Sequence, residues 1–409
     1  MILQKITDIF HEIKKNQTLI ILCVEVVIMM MGIGLVSPIL PQYARTFGVN
    51  ITMIGMLITV FGIARMLVDI PAGKLTDKVG RRPVLIVGPI ILALGSVGCA
   101  LSVNYWFFLI CRFVQGIGSA MYTTAAMVML ADVSTNENRG RLMSFYQGCV
   151  LLGAGLGPTM GGFIAQYFGL RAPFFAFACL AGLASLWAFS SLPESRPIVD
   201  SKSKNPNMEQ SHSNKNVKSL LQNHNFILIS LITFGIFVTR QGAQNQILPL
   251  LASDRLNSNE GQIGFSLTVV ALVQIVSIFI SGKYSDRVGR KVFISTGGYI
   301  LVASILMLSA SNSYGFLILS CVVMGLGIGT CGTVSSAYVA DIIPRENYSL
   351  GMGTYRAIAD LGFVLGPLLL GWLSDMKGFG ISLVFNALIL LIPLAIFQFK
   401  AKESRQIKY

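Results

Sequence analysis

The 409-residue chain is 54% hydrophobic and only 12% charged, with three histidines, seven cysteines and a formal net charge of +13. Soluble proteins carry about 25% charged residues. A chain this apolar cannot cover its surface with polar groups, which excludes a large soluble enzyme, and its mean hydropathy of +0.69 points to a membrane.

Residues 1–17 place Ile2, Ile6, Ile9 and Ile13 on one helical face beside Lys5, Lys14 and Lys15. This suits a short N-terminal interfacial segment. It does not read as a cleaved signal peptide, because the apolar run that follows is too long. That run is the first of twelve spans, approximately 18–41, 51–72, 84–101, 105–130, 142–168, 172–192, 224–251, 261–282, 292–311, 314–342, 350–373 and 379–399. About 20 apolar residues cross about 30 Å of hydrocarbon as a helix. With both termini cytoplasmic, only Arg45, Arg171, Arg255 and Lys377 fall in outside loops, and Arg65, Arg112, Arg240 and Arg356 lie within spans. The other 31 − 8 = 23 Lys and Arg are cytoplasmic. This is the positive-inside pattern, so the basic surplus reports topology and not a nucleic-acid partner.

Glu25 sits in the first span, which ends in a Gly32, Gly34, Pro38, Pro41 series that permits bending. The second span carries Arg65 and Asp69, one turn apart on one face. Glu25 and Arg65 fall at similar depth on adjacent antiparallel spans, so an ion pair between them is expected, with Arg65–Asp69 as the alternative. A charged connector follows, Gly73 to Arg82. The fourth span holds Arg112 in apolar surroundings, where an arginine costs about 2.5–3.5 kcal/mol, and ends at Asp132. The fifth reads Gly153-Ala-Gly155-Leu-Gly157-Pro158-Thr-Met-Gly161-Gly162. It is no nucleotide loop, lacking a preceding strand and a Gly-Lys-Ser/Thr ending. Small residues let helices approach, and Gly-Pro bends a helix. Residues 193–223, rich in Ser, Asn and Lys, form a flexible linker with a short helix expected near 217–221.

The second half replays the first. The connector recurs at Gly282 to Lys291, so that Asp286 answers Asp77 (286 − 77 = 209) and Arg290 answers Arg81. Asp341 answers Asp132, Glu346-Asn347 answers Glu137-Asn138, and Gly366-Pro367 answers Gly157-Pro158, all at the same offset. The expected architecture is therefore all-α and integral to the membrane: two pseudo-symmetric six-helix bundles at 18–192 and 224–399, joined by the 193–223 linker, with a 400–409 tail.

Three motifs carry a family pattern. Gly73-x-Leu75-x-Asp77-x-x-Gly80-Arg81-Arg82, Arg112-x-x-Gln115-Gly116 and Gly153-x-x-x-Gly157-Pro158-x-x-Gly161-Gly162 together resemble the major facilitator superfamily, specifically its twelve-helix drug:proton antiporter branch. One departure is Ser144, where the longer form of the fifth-helix signature has Gly. The resemblance implies that Asp77 and Arg81 form a charge relay with Asp132 that locks the two bundles in the outward-open state. It further implies that Arg112 couples to protonation and that Gly157-Pro158 bends the helix at the bundle interface.

The residues themselves offer no ATP site, no metal cluster and no catalytic triad, so neither an enzyme nor a cofactor is expected. Uphill transport would draw on an ion gradient, worth about 2.3 kcal/mol per charge at 100 mV and about 1.4 kcal/mol per pH unit. Charges duplicated across the repeat suit a gate: Asp77, Arg81 and Asp132 with Asp286, Arg290 and Asp341. Charges found in one copy suit the asymmetric work of coupling. Glu25 is the first candidate for protonation, followed by Asp360, beside Arg356, and Asp69, with Arg65 and Arg112 as partners. In the seventh span Arg240, Gln241, Gln244 and Asn245 are the candidate substrate contacts, Arg240 with Gln244 and Gln241 with Asn245 sharing faces. Arg240 suits an anionic or zwitterionic compound. The reading is proton-coupled efflux of small amphipathic compounds or drugs by a cell-membrane monomer; the alternative is a proton-coupled symporter importing a polar or anionic metabolite.

Overall fold

In the computed structural model, residues 17–135, 138–194, 223–343 and 348–403 are described. The expected N-terminal interfacial segment, residues 195–222 of the linker with its short helix, Glu346-Asn347 and the end of the tail lie outside the described residues, as does the side chain of Asp286. Every regular element among the described residues is helical.

In chain order these are α1 (Gln17–Val36), α2 (Leu40–Arg45), α3 (Ile51–Val79), α4 (Arg81–Ala100), α5 (Tyr105–Asp132), α6 (Arg139–Phe168), α7 (Ala172–Ser191), α8 (His224–Val238), a π-helix (Thr239–Ile247), α9 (Leu248–Leu256), α10 (Glu260–Val288), α11 (Arg290–Ser309), α12 (Tyr314–Ile342) and α13 (Tyr348–Lys400). Among the described residues, eleven stretches are long and apolar enough to cross a membrane. The last of them breaks at Gly378, where φ is 81°, so α13 is two passes and the described residues hold twelve. A continuous helix of its 53 residues would measure about 80 Å, far more than a bilayer needs.

The repeat is written into the helix ends. α3 and α10 start and stop 209 residues apart (260 − 51 and 288 − 79), and so do α4 and α11. The helix-starting caps recur at the same spacing. Asn50 and Asn259 accept from the amides of Met53 and Gln262, and Asn104 and Ser313 from those of Phe107 and Phe316. The six described residues with positive φ also form three pairs at that spacing: Gly48 with Asn257, Gly80 with Gly289, and Gly169 with Gly378. A turn needing left-handed backbone was duplicated with its residue, and only at 257 has Asn replaced Gly, the substitution such a turn tolerates best.

The chain divides into two compact units, Met1–Tyr43 with Val60–Asp200, and Ala44–Thr59 with Ser201–Tyr409. Each is held by close helix contacts at glycine. In the first, a Cβ on Gly157 would lie 2.5 Å from the Met31 carbonyl oxygen, so α6 approaches the backbone of α1 directly. In the second, its repeat partner Gly366 brings α13 as close to Val238 at the end of α8. Large apolar side chains remain outside, including Ile70, Leu186, Phe279 and Phe399. They form the surface that lipid covers.

Candidate functional site

The connector at Gly73 to Arg82 is not the loop its charge suggested. α3 runs through it to Val79 and stops only at Gly80, with φ 114°. The extra turns carry Lys74, Asp77 and Lys78 beyond the apolar part of the helix, where charged side chains can remain hydrated. Gly80 then lets α4 begin at once. At this corner Arg81, 8% exposed, donates from Nε to Asp132 Oδ2 at 2.8 Å and lies 3.3 Å from Asp77 Oδ1 through Nη2. Asp77, Arg81 and Asp132 thus meet within the first unit. In the second unit Arg290 pairs with Asp341 at 2.8 Å.

A further acid joins each corner, one the motifs do not include. Glu194 Oε1 accepts from the Arg81 amide at 2.9 Å and Oε2 from the Arg82 amide at 3.2 Å. Glu403 does the same for the amides of Arg290 and Lys291, at 2.9 and 3.1 Å. The carboxylates satisfy amides that a helix start leaves unpaired and offset the positive end of the helix dipole. The signal was available: Glu194-Ser-Arg and Glu403-Ser-Arg stand 209 residues apart.

The ion pair expected between Glu25 and Arg65 is not formed. Glu25 is 1% exposed and neither carboxylate oxygen has a hydrogen-bond partner. Depth was readable from the sequence, but rotation of α1 about its axis was not. The face bearing Glu25 turns to α5 and α6, where Tyr122 and Tyr146 are its neighbours. The buried phenols of Tyr122 and Tyr146 face each other there. Asp69 is exposed and accepts from Thr124 Oγ1 at 3.3 Å.

Arg112, 8% exposed, is bound into a polar chain linking α5 to α4. Its Nη1 donates to Gln115 Oε1 at 2.7 Å, Gln115 Nε2 to Ser96 Oγ at 2.7 Å, and Ser96 Oγ to the Leu92 carbonyl at 2.9 Å. The guanidinium lies over the Phe61 ring, 4.6 Å from its centroid, a cation–π contact that offsets part of the cost of burying the charge.

The glycine motif at Gly153, Gly157, Pro158, Gly161 and Gly162 lies in the unbroken helix α6. Its Gly153, Gly157 and Gly161 face the backbone of α1 at Val27, Met31 and Leu35. The contacts described for these three are therefore with a helix of the same unit. These glycines give room for close packing on α1.

The polar stretch of the seventh span is a π-helix over nine residues, which periodicity did not anticipate. Pro249 lacks the amide that would close an α-type bond to residue 245, loosening the ladder there. In an i→i+5 ladder, residues four and five apart share a face. Arg240, Gln241, Gln244 and Asn245 are accordingly half-buried together, while Thr239, Gly242, Ala243, Gln246 and Ile247 are buried. Asn245 Nδ2 donates to Gln241 Oε1 at 3.0 Å. Gln246, on the buried side, donates to the Ile51 carbonyl at 2.8 Å. In α13, Asp360 is half-buried and Arg356 exposed.

A helical membrane protein of twelve passes, duplicated at one offset, with a charged corner at the end of the second pass of each repeat, has the build of a carrier. The sequence model of the Major Facilitator Superfamily matches residues 22–252 and 231–407, and the chain belongs to that family of transporters. It is 26% identical over 365 residues to an uncharacterized MFS-type transporter of Methanocaldococcus jannaschii, covering 89% of this chain and 92% of the relative. It is 25% identical over 365 residues to Multidrug resistance protein 2 of Bacillus subtilis, covering 88% and 89% of the two chains. Quinolone resistance protein NorA of Staphylococcus aureus is 22% identical over 392 residues, covering 92% and 96%. Among solved structures, a bacterial homolog of the human lysosomal transporter Spinster superposes with a TM-score of 0.78 at 16% identity, covering 95% of this chain and 96% of that one. A D-xylose-proton symporter gives 0.75 at 17%, covering 96% and 99%. At those identities the structures speak for the fold alone.

Proposed function

We propose that this transporter is a proton-coupled exporter of small amphipathic compounds, drugs included, working in the cell membrane with both termini cytoplasmic. The observation that carries coupling is Glu25, a carboxyl group buried with no donor for either oxygen and without a counterpart in the second repeat, where Phe234 stands. Such a group is tolerable neutral and costly charged. A proton there is therefore tied to whichever conformation admits water or substrate. Arg112 on α5 and the duplicated corners at Arg81 and Arg290 are assigned to coupling and gating respectively. The export direction is supported by relatives named for multidrug and quinolone resistance.

The test is an energised inside-out vesicle with a lumenal pH dye. Adding an exported compound should alkalinise the lumen, because antiport moves protons out as compound is taken in. Acidification would identify symport and import instead. A susceptibility screen of an overexpressing strain, with Arg112→Ala as the inactive control, supplies the compounds.

A further inference from the structure

The π-helix combines two features that seldom coexist inside a membrane span without a ligand. Arg240 is a cation in the seventh pass, and among the described residues no carboxylate pairs with it. Gln244, on the same face, has an amide oxygen buried without a donor. An intramembrane arginine left to itself is costly, and a buried unserved amide adds to that cost. Neither is needed to anchor the helix, since Gln246 and Thr239 already hold its buried side, to the Ile51 carbonyl at 2.8 Å and to Asn386 Oδ1 at 3.3 Å. The π form itself is a strained choice that recurs at functional sites. Here it sets Arg240, Gln241, Gln244 and Asn245 together on the half-buried face.

We propose that this face recognises a carboxylate: Arg240 takes the anionic group of an amphipathic acid or zwitterion, and Gln244 bonds a polar hydrogen beside it. A guanidinium presents a planar fork that meets a carboxylate at two points, which an ammonium cannot match. Arg240 also has no counterpart in the first repeat, where Met31 stands, so it belongs to the asymmetric part of the protein, as substrate choice requires. The assignment narrows the substrate class to acids and zwitterions. It rests on the export reading above.

Three compounds test it in cells or vesicles carrying the whole chain: a fluoroquinolone carboxylic acid, its ethyl ester, and ethidium, a cation with no carboxyl group. The wild type should export the acid in preference to the ester. In Arg240→Gln the acid-to-ester ratio should fall about tenfold or more, as the charged two-point contact is lost, and Arg240→Lys should lie between. Equal losses for acid and ester in both variants, with monodisperse protein by size exclusion, would make Arg240 a structural residue and overturn the proposal. So would wild-type export of ethidium but not of the acid, which leaves the export reading intact. No export of any of the three would remove both.

Discussion

Arg45 and Asp254 occupy the same place in the two repeats, 209 residues apart, and their side chains form a two-point ion pair: Nη1 with Oδ1, and Nη2 with Oδ2 at 2.7 Å. A faithful duplication would have set like charges against each other there. Divergence to opposite signs turned a repulsion into a clasp, and it ties the segment Ala44–Thr59 into the unit formed with residues 201–409. The clasp has a second point. Asp375 accepts from the amides of Ile51 and Thr52, both at 2.8 Å, at the start of α3. Arg45→Asp or Asp254→Arg alone should slow transport by restoring like charges, and the double reversal should recover most of it. Because the side chains are about one-third exposed, the coupling in a double-mutant thermal cycle should stay under about 1 kcal/mol. Failure of the double reversal to recover would show that Asp375, not this pair, holds the segment.

The caps at Glu194 and Glu403 predict local stability. Glu194→Ala removes the only side chain shown serving the Arg81 and Arg82 amides, a loss of about 1 kcal/mol on the usual scale for helix caps. Hydrogen exchange at the first turn of α4 should therefore quicken about fivefold, with Glu403→Ala doing the same at the start of α11. Glu194→Gln, which keeps an acceptor and loses the charge, should fall between. Unchanged exchange at those amides in Glu194→Ala would refute the capping role.

The corner at Arg81 ranks its two acids. The Asp132 side chain is 19% exposed and 2.8 Å from Arg81, whereas Asp77 is 72% exposed and 3.3 Å away. Asp132→Asn should lower thermal stability measurably and Asp77→Asn very little, since exposed pairs contribute weakly. If the corner is a gate, Asp77→Asn should slow conformational exchange and turnover while sparing substrate affinity. The check is equilibrium binding beside initial transport rate; a large affinity loss with normal exchange would place Asp77 in the binding site.

The duplication and the number of passes were legible because they depend on apolar length and on residues repeated at one spacing; the meeting of Asp77, Arg81 and Asp132 was implied only by the family resemblance. What was not legible depends on rotation and on backbone form. Glu25 and Arg65 share a depth that counting residues reveals, but which face of α1 meets which neighbour is decided by close packing, with Gly157 against Gly34. The π-helix escaped because a 3.6-residue period was assumed through Gly242 and up to Pro249. Glu194 and Glu403 were readable and missed. They stand just past the last helix of each repeat, outside the apolar spans.

Glu25 supplies the sharpest prediction about coupling. A glutamine has nearly the shape of a protonated glutamate and cannot release a proton, so Glu25→Gln should fold and reach the membrane. If Glu25 is the coupling acid, the variant should bind compound and exchange it across the membrane down its gradient, while pH-driven accumulation is lost. Glu25→Asp keeps a carboxyl group but withdraws it by one methylene from Tyr122 and Tyr146, and should retain coupling at a lower rate. Proteoliposomes with an imposed pH gradient separate these outcomes, because counterflow of labelled compound needs no proton release and uphill transport does. Uphill transport surviving in Glu25→Gln would move the role to Asp360 or Asp69, the other acids of the spans that the repeat leaves without a counterpart. The same pair of measurements on Asp360→Asn and Asp69→Asn would then decide between them.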